Sequence, residues 1–109
     1  MQDALAEKLR QGRPVNLSGE EATFLREALR RAMATTLEIA PEDIRDDVLV
    51  FDDLGLDSID TFDLLDQLAE QFDVKLEPDE LPEDMIYGKE GLRFREFVEL
   101  LLTHFRTAP

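Results

Sequence analysis

The apolar positions of this chain recur at helical spacing in four segments, with a less regular stretch at the start. Residues 1 to 11 set Ala4, Leu5, Lys8 and Leu9 three and four apart, which allows a short helix. Gly12 and Pro14 close that piece, and at this length it either docks on the body or frays. The next segment opens on Ser18-Gly-Glu-Glu21, the pattern of a capping box, and continues through Phe24, Leu25, Ala28, Leu29, Ala32, Met33 and Leu37. Pro41 stops it. Residues 40 to 57 then lack a helical period. Their run Val48 to Phe51 has no evident strand partner, so it is read as a loop pinned to the core.

A third segment starts at Asp57 or Ser58, either of which can cap it. At about 100° per residue from Asp60, the residues Thr61, Phe62, Leu64, Leu65, Leu68, Ala69 and Phe72 fall in one arc of roughly 40° to 200°. Asp63, Asp66, Glu70 and Asp73 fall between roughly 220° and 300°. Ile59 breaks the separation, at roughly 260° within the acidic face. An apolar residue rimmed by acids suits a contact for a partner. A short helix over Asp79 to Ile86, with Pro82 in its first turn, and a last helix from about Leu92 to Phe105 complete the pattern. The fold class is all-α: a four-helix bundle of three long helices and one short, with a long first loop. A leader over residues 1–18 precedes the body at 19–109.

Composition narrows the partners. The chain has 109 residues, 43% of them hydrophobic, enough for one modest core. Its 12 Lys and Arg face 26 Asp and Glu, for a net charge of −14. Such a surface repels nucleic acid and anionic membrane, and favours a basic patch on another protein. There is no cysteine, so disulfides and thiol chemistry of the chain's own are excluded. The first residues carry Asp3 and Glu7 and no long apolar core, so no secretory or mitochondrial signal is read. A cytoplasmic monomer without membrane insertion is expected.

The candidate chemistry centres on Ser58, a hydroxyl placed after the turn Leu54-Gly-Leu-Asp57 at a helix start. A serine nucleophile needs a base within reach. The single histidine, His104, lies near the end of the last helix and reads as a surface residue. The Gly-x-Ser-x-Gly elbow is also absent. No catalytic residue is therefore assigned, and Ser58 suits modification by another enzyme. The cluster Asp52, Asp53, Asp57, Asp60 and Asp63 fails the calcium-loop register, because aligning Gly55 at its sixth position puts Val50 at the first and Thr61 at the twelfth. No metal site is read.

From about Glu20 to Phe105 the chain resembles an acyl carrier protein. The resemblance rests on Asp53-Leu-Gly-Leu-Asp-Ser58-Ile-Asp, on Leu64 to Val74 as the recognition helix, and on Glu77-Pro-Asp-Glu80-Leu. It implies 4′-phosphopantetheine joined to Ser58 by a separate phosphopantetheinyl transferase. Acyl intermediates would be held as thioesters on the arm, for fatty-acid, lipid or polyketide synthesis. By the same resemblance Asp57, Ile59, Asp60 and Asp63, with Phe62, Asp66 and Glu70 beside them, would meet the basic docking surfaces of the transferase and of acyl-processing enzymes. Phe62 and Leu65 would lie near the mouth of an acyl pocket. Three departures point to a specialised member: the leader, Asp66 in an apolar position with Ala69 in an acidic one, and the long loop Met85 to Leu92. An aminoacyl or peptidyl carrier and a non-carrier acidic adaptor are the alternatives.

Overall fold

A computed structural model describes residues 1–109 and shows an all-helical chain. Its helices are α1 (Gln2–Arg10), α2 (Gly19–Leu37), α3 (Ser58–Phe72), the single-turn α4 (Glu83–Ile86) and α5 (Phe94–Arg106). The expected bundle of three long helices and one short is α2 to α5, and α1 is added to it. The capping box of α2 forms as its sequence requires. Ser18 Oγ accepts the Glu21 N–H at 3.1 Å, and the Glu21 carboxylate accepts the Ser18 N–H at 2.8 Å. α3 is the central element, touching α1, α2 and α4, while α5 packs on α2. Thr61, Leu64, Leu65, Leu68 and Phe72 of α3 are buried against Leu25, Ala28, Leu29, Ala32 and Met33 of α2 in one continuous core. Phe24 meets Phe72 edge to face at 6.3 Å.

The first loop is held down rather than free. Ile44, Val50 and Leu56 are buried, and the run at Val48 does find a partner, contrary to the sequence expectation. Leu49 and Arg93 form a single antiparallel bridge. Around it the Phe94 N–H donates to Val48 O at 2.8 Å, the Val50 N–H to Leu92 O at 3.1 Å and the Arg95 N–H to Asp46 O at 2.9 Å. The pairing stops at one bridge because α5 begins immediately afterwards. The sequence pattern missed it because each side is too short to show alternation.

Arg30 fastens this loop to α2. Its guanidinium donates to Ile44 O, to Asp46 Oδ1 at 2.6 Å and to Glu27, and it lies 4.7 Å from the centre of the Phe94 ring. The Arg30 hydrogen bond holds the Asp46 carboxyl below its ordinary pKa.

The leader docks. Leu5, Ala6 and Leu9 are buried in the main core, whereas Ala4, which the spacing had placed on the apolar side, is exposed. Leu5 sets the direction of the buried stripe, and Ala6 rather than Ala4 falls beside it. Polar contacts reinforce the packing. Lys8 Nζ reaches Glu21 Oε1 at 2.7 Å, and that hydrogen bond holds the Glu21 carboxyl below its ordinary pKa. Arg10 Nη1 donates to Phe72 O at 2.9 Å. α3 has no basic residue in its own last turn, so Arg10 supplies the cation that its carbonyl end favours.

Two further expectations are corrected. The stretch read as one helix from Asp79 to Ile86 is split into a 3₁₀ turn (Pro78–Glu80) and α4, because Leu81 and Pro82 adopt extended backbone between them. His104 is not a surface residue but only 7% exposed. Its Nδ1 lies 3.1 Å from Arg13 Nη1, which also donates to His104 O, and its ring meets Phe105 edge to face at 5.1 Å. Arg13 belongs to the leader, which the sequence pattern could not bring to this end of α5.

Two tests follow from this packing. Arg30→Met removes charge-assisted hydrogen bonds and a cation–π contact, and is expected to cost about 2 kcal/mol by urea denaturation. A cost under about 0.5 kcal/mol would mean that the loop is held without it. Burial, with Arg13 beside it, pushes the His104 imidazole below its ordinary pKa, which is about 6.5 in the unfolded chain. Between those two values the unfolded chain binds a proton that the folded chain does not, so stability is lost as pH falls below about 6.5. A His104→Gln variant is expected to show a flatter midpoint than the parent between about pH 7 and 5.5. Parallel profiles would remove His104 as the cause.

Candidate functional site

The site is built from the last turn of the first loop. The Asp53 and Leu54 N–H groups both donate to Leu49 O, at 2.9 and 3.1 Å, and curl the chain back on itself. Gly55 then takes φ +73, the left-handed region that disfavours a side chain. Leu56 is buried and its N–H donates to Val50 O at 3.1 Å. This anchor sits two residues before Ser58 and transmits the position of the stitched loop to it.

Asp57 is the N-cap of α3, which resolves the choice the sequence left open. Its Oδ1 accepts the Asp60 N–H at 2.8 Å, and Asp60 Oδ2 accepts the Asp57 N–H at 3.3 Å. Thr61 is buried because its hydroxyl donates to Asp57 O at 3.0 Å, so a polar side chain sits on the apolar arc without an unmet hydrogen bond. The turn is thus fixed from below by Leu56 and from within by Asp57, Asp60 and Thr61. Ser58 is the first residue of α3 and its side chain is exposed.

The residues expected to surround Ser58 are laid out along α3. Ile59 is 75% exposed and Phe62 41% exposed, large apolar side chains that the core leaves outside. Asp63, Asp66 and Glu70 are exposed, and Asp57 and Asp60 complete the acidic edge. Asp63 is exposed but hydrogen-bonded. Its Oδ2 accepts from Thr36 Oγ1 at 2.9 Å, and Gln67 Nε2 donates to the same threonine at 2.6 Å, tying α3 to α2 across the surface. Leu65 is 1% exposed and lies in the core, one turn after Phe62. The two therefore stand at different depths on neighbouring positions of the helix.

One part of the site escaped the sequence. A surface groove of ≈ 550 Å³ opens beside Ser58, and its far wall is the loop before α5. Tyr87, Gly88, Lys89 and Glu90 form that wall, with Tyr87 80% exposed. Only the length of that loop had marked it as unusual.

The arrangement offers an accessible hydroxyl on a rigid turn. His104 is engaged with Arg13 at the C-terminal end of α5, so it is committed elsewhere. An alcohol presented without a base suits acceptance of a group from another enzyme.

The family model for the phosphopantetheine attachment site matches residues 27–84, from within α2 into α4, and Ser58 lies inside that range. An acyl carrier protein of Sulfurovum sp. (strain NBC37-1) is 29% identical over 70 residues, covering 64% of this chain and 92% of that protein. An acyl carrier protein of Buchnera aphidicola subsp. Acyrthosiphon pisum is 36% identical over 56 residues, covering 51% of this chain and 70% of its own length. No solved structure matches the chain.

The capping role of Asp57 can be separated from its charge. Asp57→Ala is expected to cost about 1 kcal/mol, and Asp57→Asn only a few tenths, because asparagine caps nearly as well. Equal losses for the two in urea denaturation would mean that the charge, not the cap, holds the turn.

Proposed function

The chain belongs to the acyl carrier protein family, as a phosphopantetheine carrier and not an enzyme, and on that premise we propose that Ser58 is the residue that receives 4′-phosphopantetheine. The observation that carries this reading is the exposed Ser58 hydroxyl at the first position of α3, on a turn locked by the Asp57–Asp60 box. Ser58 Oγ would attack the coenzyme A phosphorus that bears the pantetheine, so that the new phosphodiester forms as the diphosphate bond breaks and the nucleotide phosphate leaves, with the serine proton taken by a base the transferase supplies. When bound, the group supplies a flexible arm ending in a thiol for acyl cargo.

The residues around Ser58 fit that group. Asp57 and Asp60 would stand as like charges beside a phosphodiester, yet each has a carboxylate oxygen turned onto a backbone N–H of the cap. The helix start itself favours negative charge. Exposure of the hydroxyl leaves the approach open to a transferase active site.

The acidic edge serves encounter. Asp57, Asp60, Asp63, Asp66 and Glu70 form a strip that attracts basic docking surfaces, and Ile59 and Phe62 provide an apolar centre within it. Partners of that description are the phosphopantetheinyl transferase and acyl-processing enzymes. Asp66 and Ala69 and the docked leader suit a dedicated set of partners. Cargo shelter is assigned to the seam beside α3, where Phe62 stands at the surface and Leu65 one turn deeper. An acyl cargo for fatty-acid, lipid or polyketide-type synthesis fits this acidic setting. No helix is long and apolar enough to cross a membrane, and a monomer working in the cytoplasm is the simplest setting for the carrier. Residues 19–109 form the carrier domain in this reading, and residues 1–18 an accessory that docks on it.

Incubation with coenzyme A and a broad-specificity phosphopantetheinyl transferase, followed by intact mass, tests the assignment. One phosphopantetheine per chain is expected, with none on Ser58→Ala. Addition to the Ser58→Ala chain would move the attachment elsewhere.

A further inference from the structure

The groove beside Ser58 joins two features that the carrier function above does not use: an exposed tyrosine and a nearly unpaired lysine. Its lining includes Phe51, Leu56, Ser58, Tyr87, Gly88 and Lys89, and Lys89 is the single cation among the lining residues. In a chain of net charge −14, a cation facing the modified hydroxyl across one groove is a specific placement.

The wall that carries these residues is held by the core. Gly88 has φ +86, and a Cβ there would lie 3.2 Å from the Phe51 ring, so the backbone packs directly on that ring. Phe51 in turn meets the buried Phe97 edge to face at 6.1 Å. On the far side the Gly91 N–H donates to Asp52 Oδ2 at 2.7 Å. Tyr87 and Lys89 flank the fixed Gly88, so their backbone positions are set while their side chains stay free. Lys89 has only a loose partner, Asp84 at 3.9 Å, with both side chains at least half exposed. Such a pair contributes little and gives way to a better anion.

None of the acids lining the groove is ion-paired with the lysine. Asp52 is turned onto the Gly91 N–H and Asp57 onto the Asp60 N–H, so although both keep their charge, Lys89 is the one group there that can offer a cation to an anion. A phosphodiester on Ser58 carries one negative charge at neutral pH and would sit at the edge of this groove. The part of the arm beyond it is uncharged and partly aliphatic, which suits the face of an exposed aromatic ring.

Resting on the assignment of Ser58, we infer that this groove is a berth for the chain's own phosphopantetheine arm, with Lys89 pairing the phosphodiester and Tyr87 covering the segment beyond it. The arm is thereby held on the α4–α5 loop side of α3, away from Phe62. Tyr87 and Lys89 are positioning residues, and their effect is on where the arm lies.

The test uses the full chain loaded from coenzyme A, with intact mass confirming one arm. Phosphorus NMR and nuclear Overhauser contacts of the arm are then compared in the parent, Lys89→Gln, Lys89→Arg and Tyr87→Ala. In the parent, arm protons should contact the Tyr87 ring, and the phosphorus resonance should move as salt is raised to about 1 M, where screening is short-ranged. Lys89→Gln should begin at the high-salt position, Lys89→Arg should restore the parent shift, and Tyr87→Ala should weaken the remaining arm contacts several-fold. The berth is overturned if the phosphorus resonance of Lys89→Gln superposes on that of the parent at low salt, or if the arm contacts Phe62 and not Tyr87. A chain that gains no mass removes the Ser58 assignment and the berth together, whereas a loaded chain lacking these signals removes the berth alone.

Discussion

Arg30 is the contact on which the geometry of the Ser58 turn depends. It is one side chain reaching three segments: its own helix through Glu27, the first loop through Ile44 O and Asp46, and the start of α5 through the Phe94 ring. The loop it fastens is also stitched to Leu92, Phe94 and Arg95 by backbone hydrogen bonds. A connection of this length would otherwise leave the residues ahead of α3 mobile. Here it behaves as a strap, and Leu56 passes the strap's position to the serine. Rigidity on the approach side of α3 is therefore partly a tertiary property, made by α2 and α5 and added to the cap that the motif makes for itself.

The motif does two things with the same residues. Asp57 and Asp60 satisfy the open N–H groups at the start of α3, and they belong to the charged strip along it. A carboxylate oxygen held on the cap keeps its charge but is less free to turn toward a new hydrogen-bond donor, and Asp63 is engaged likewise by Thr36. Asp66 and Glu70, further along, have no such engagement and carry the more distant part of the field. The exposed apolar residues Ile59 and Phe62 sit where the strip is most occupied by capping, so apolar surface and unengaged carboxylates are divided along the helix.

What could be read from the sequence was what is local. The capping box at Ser18 involves residues three apart, and it formed as written. Most of the buried face of α3 followed from its period: of the arc, Thr61, Leu64, Leu65, Leu68 and Phe72 are buried, while Ala69 is half-buried and Phe62, at its edge, is exposed. The misplaced Ile59 was visible for the same reason. The features that were missed are made by residues distant in the chain. His104 is buried because Arg13 of the leader reaches it. The bridge between Leu49 and Arg93 involves one residue on each side, below any periodic signal. The groove wall exists because Gly88 lets the backbone settle on Phe51, and nothing near Tyr87 or Lys89 in sequence announces that.

The leader gives α3 a mechanical character that its own sequence does not. Arg10 grips the carbonyl end at Phe72, and Gln2 Nε2 donates to Gln71 O at 2.8 Å, while the capped turn holds the other end. A rod clamped at both tips cannot slide along its axis or tilt about either one. Of the motions by which a helical bundle can make room, this leaves sideways displacement of what packs against the rod. α4 is the shortest element packed on it, a single turn between a proline-bearing and a glycine-bearing connection, with Met85 and Ile86 buried in the core. α3 is thus the fixed frame of the bundle, and any widening of the interior falls to the elements packed against it.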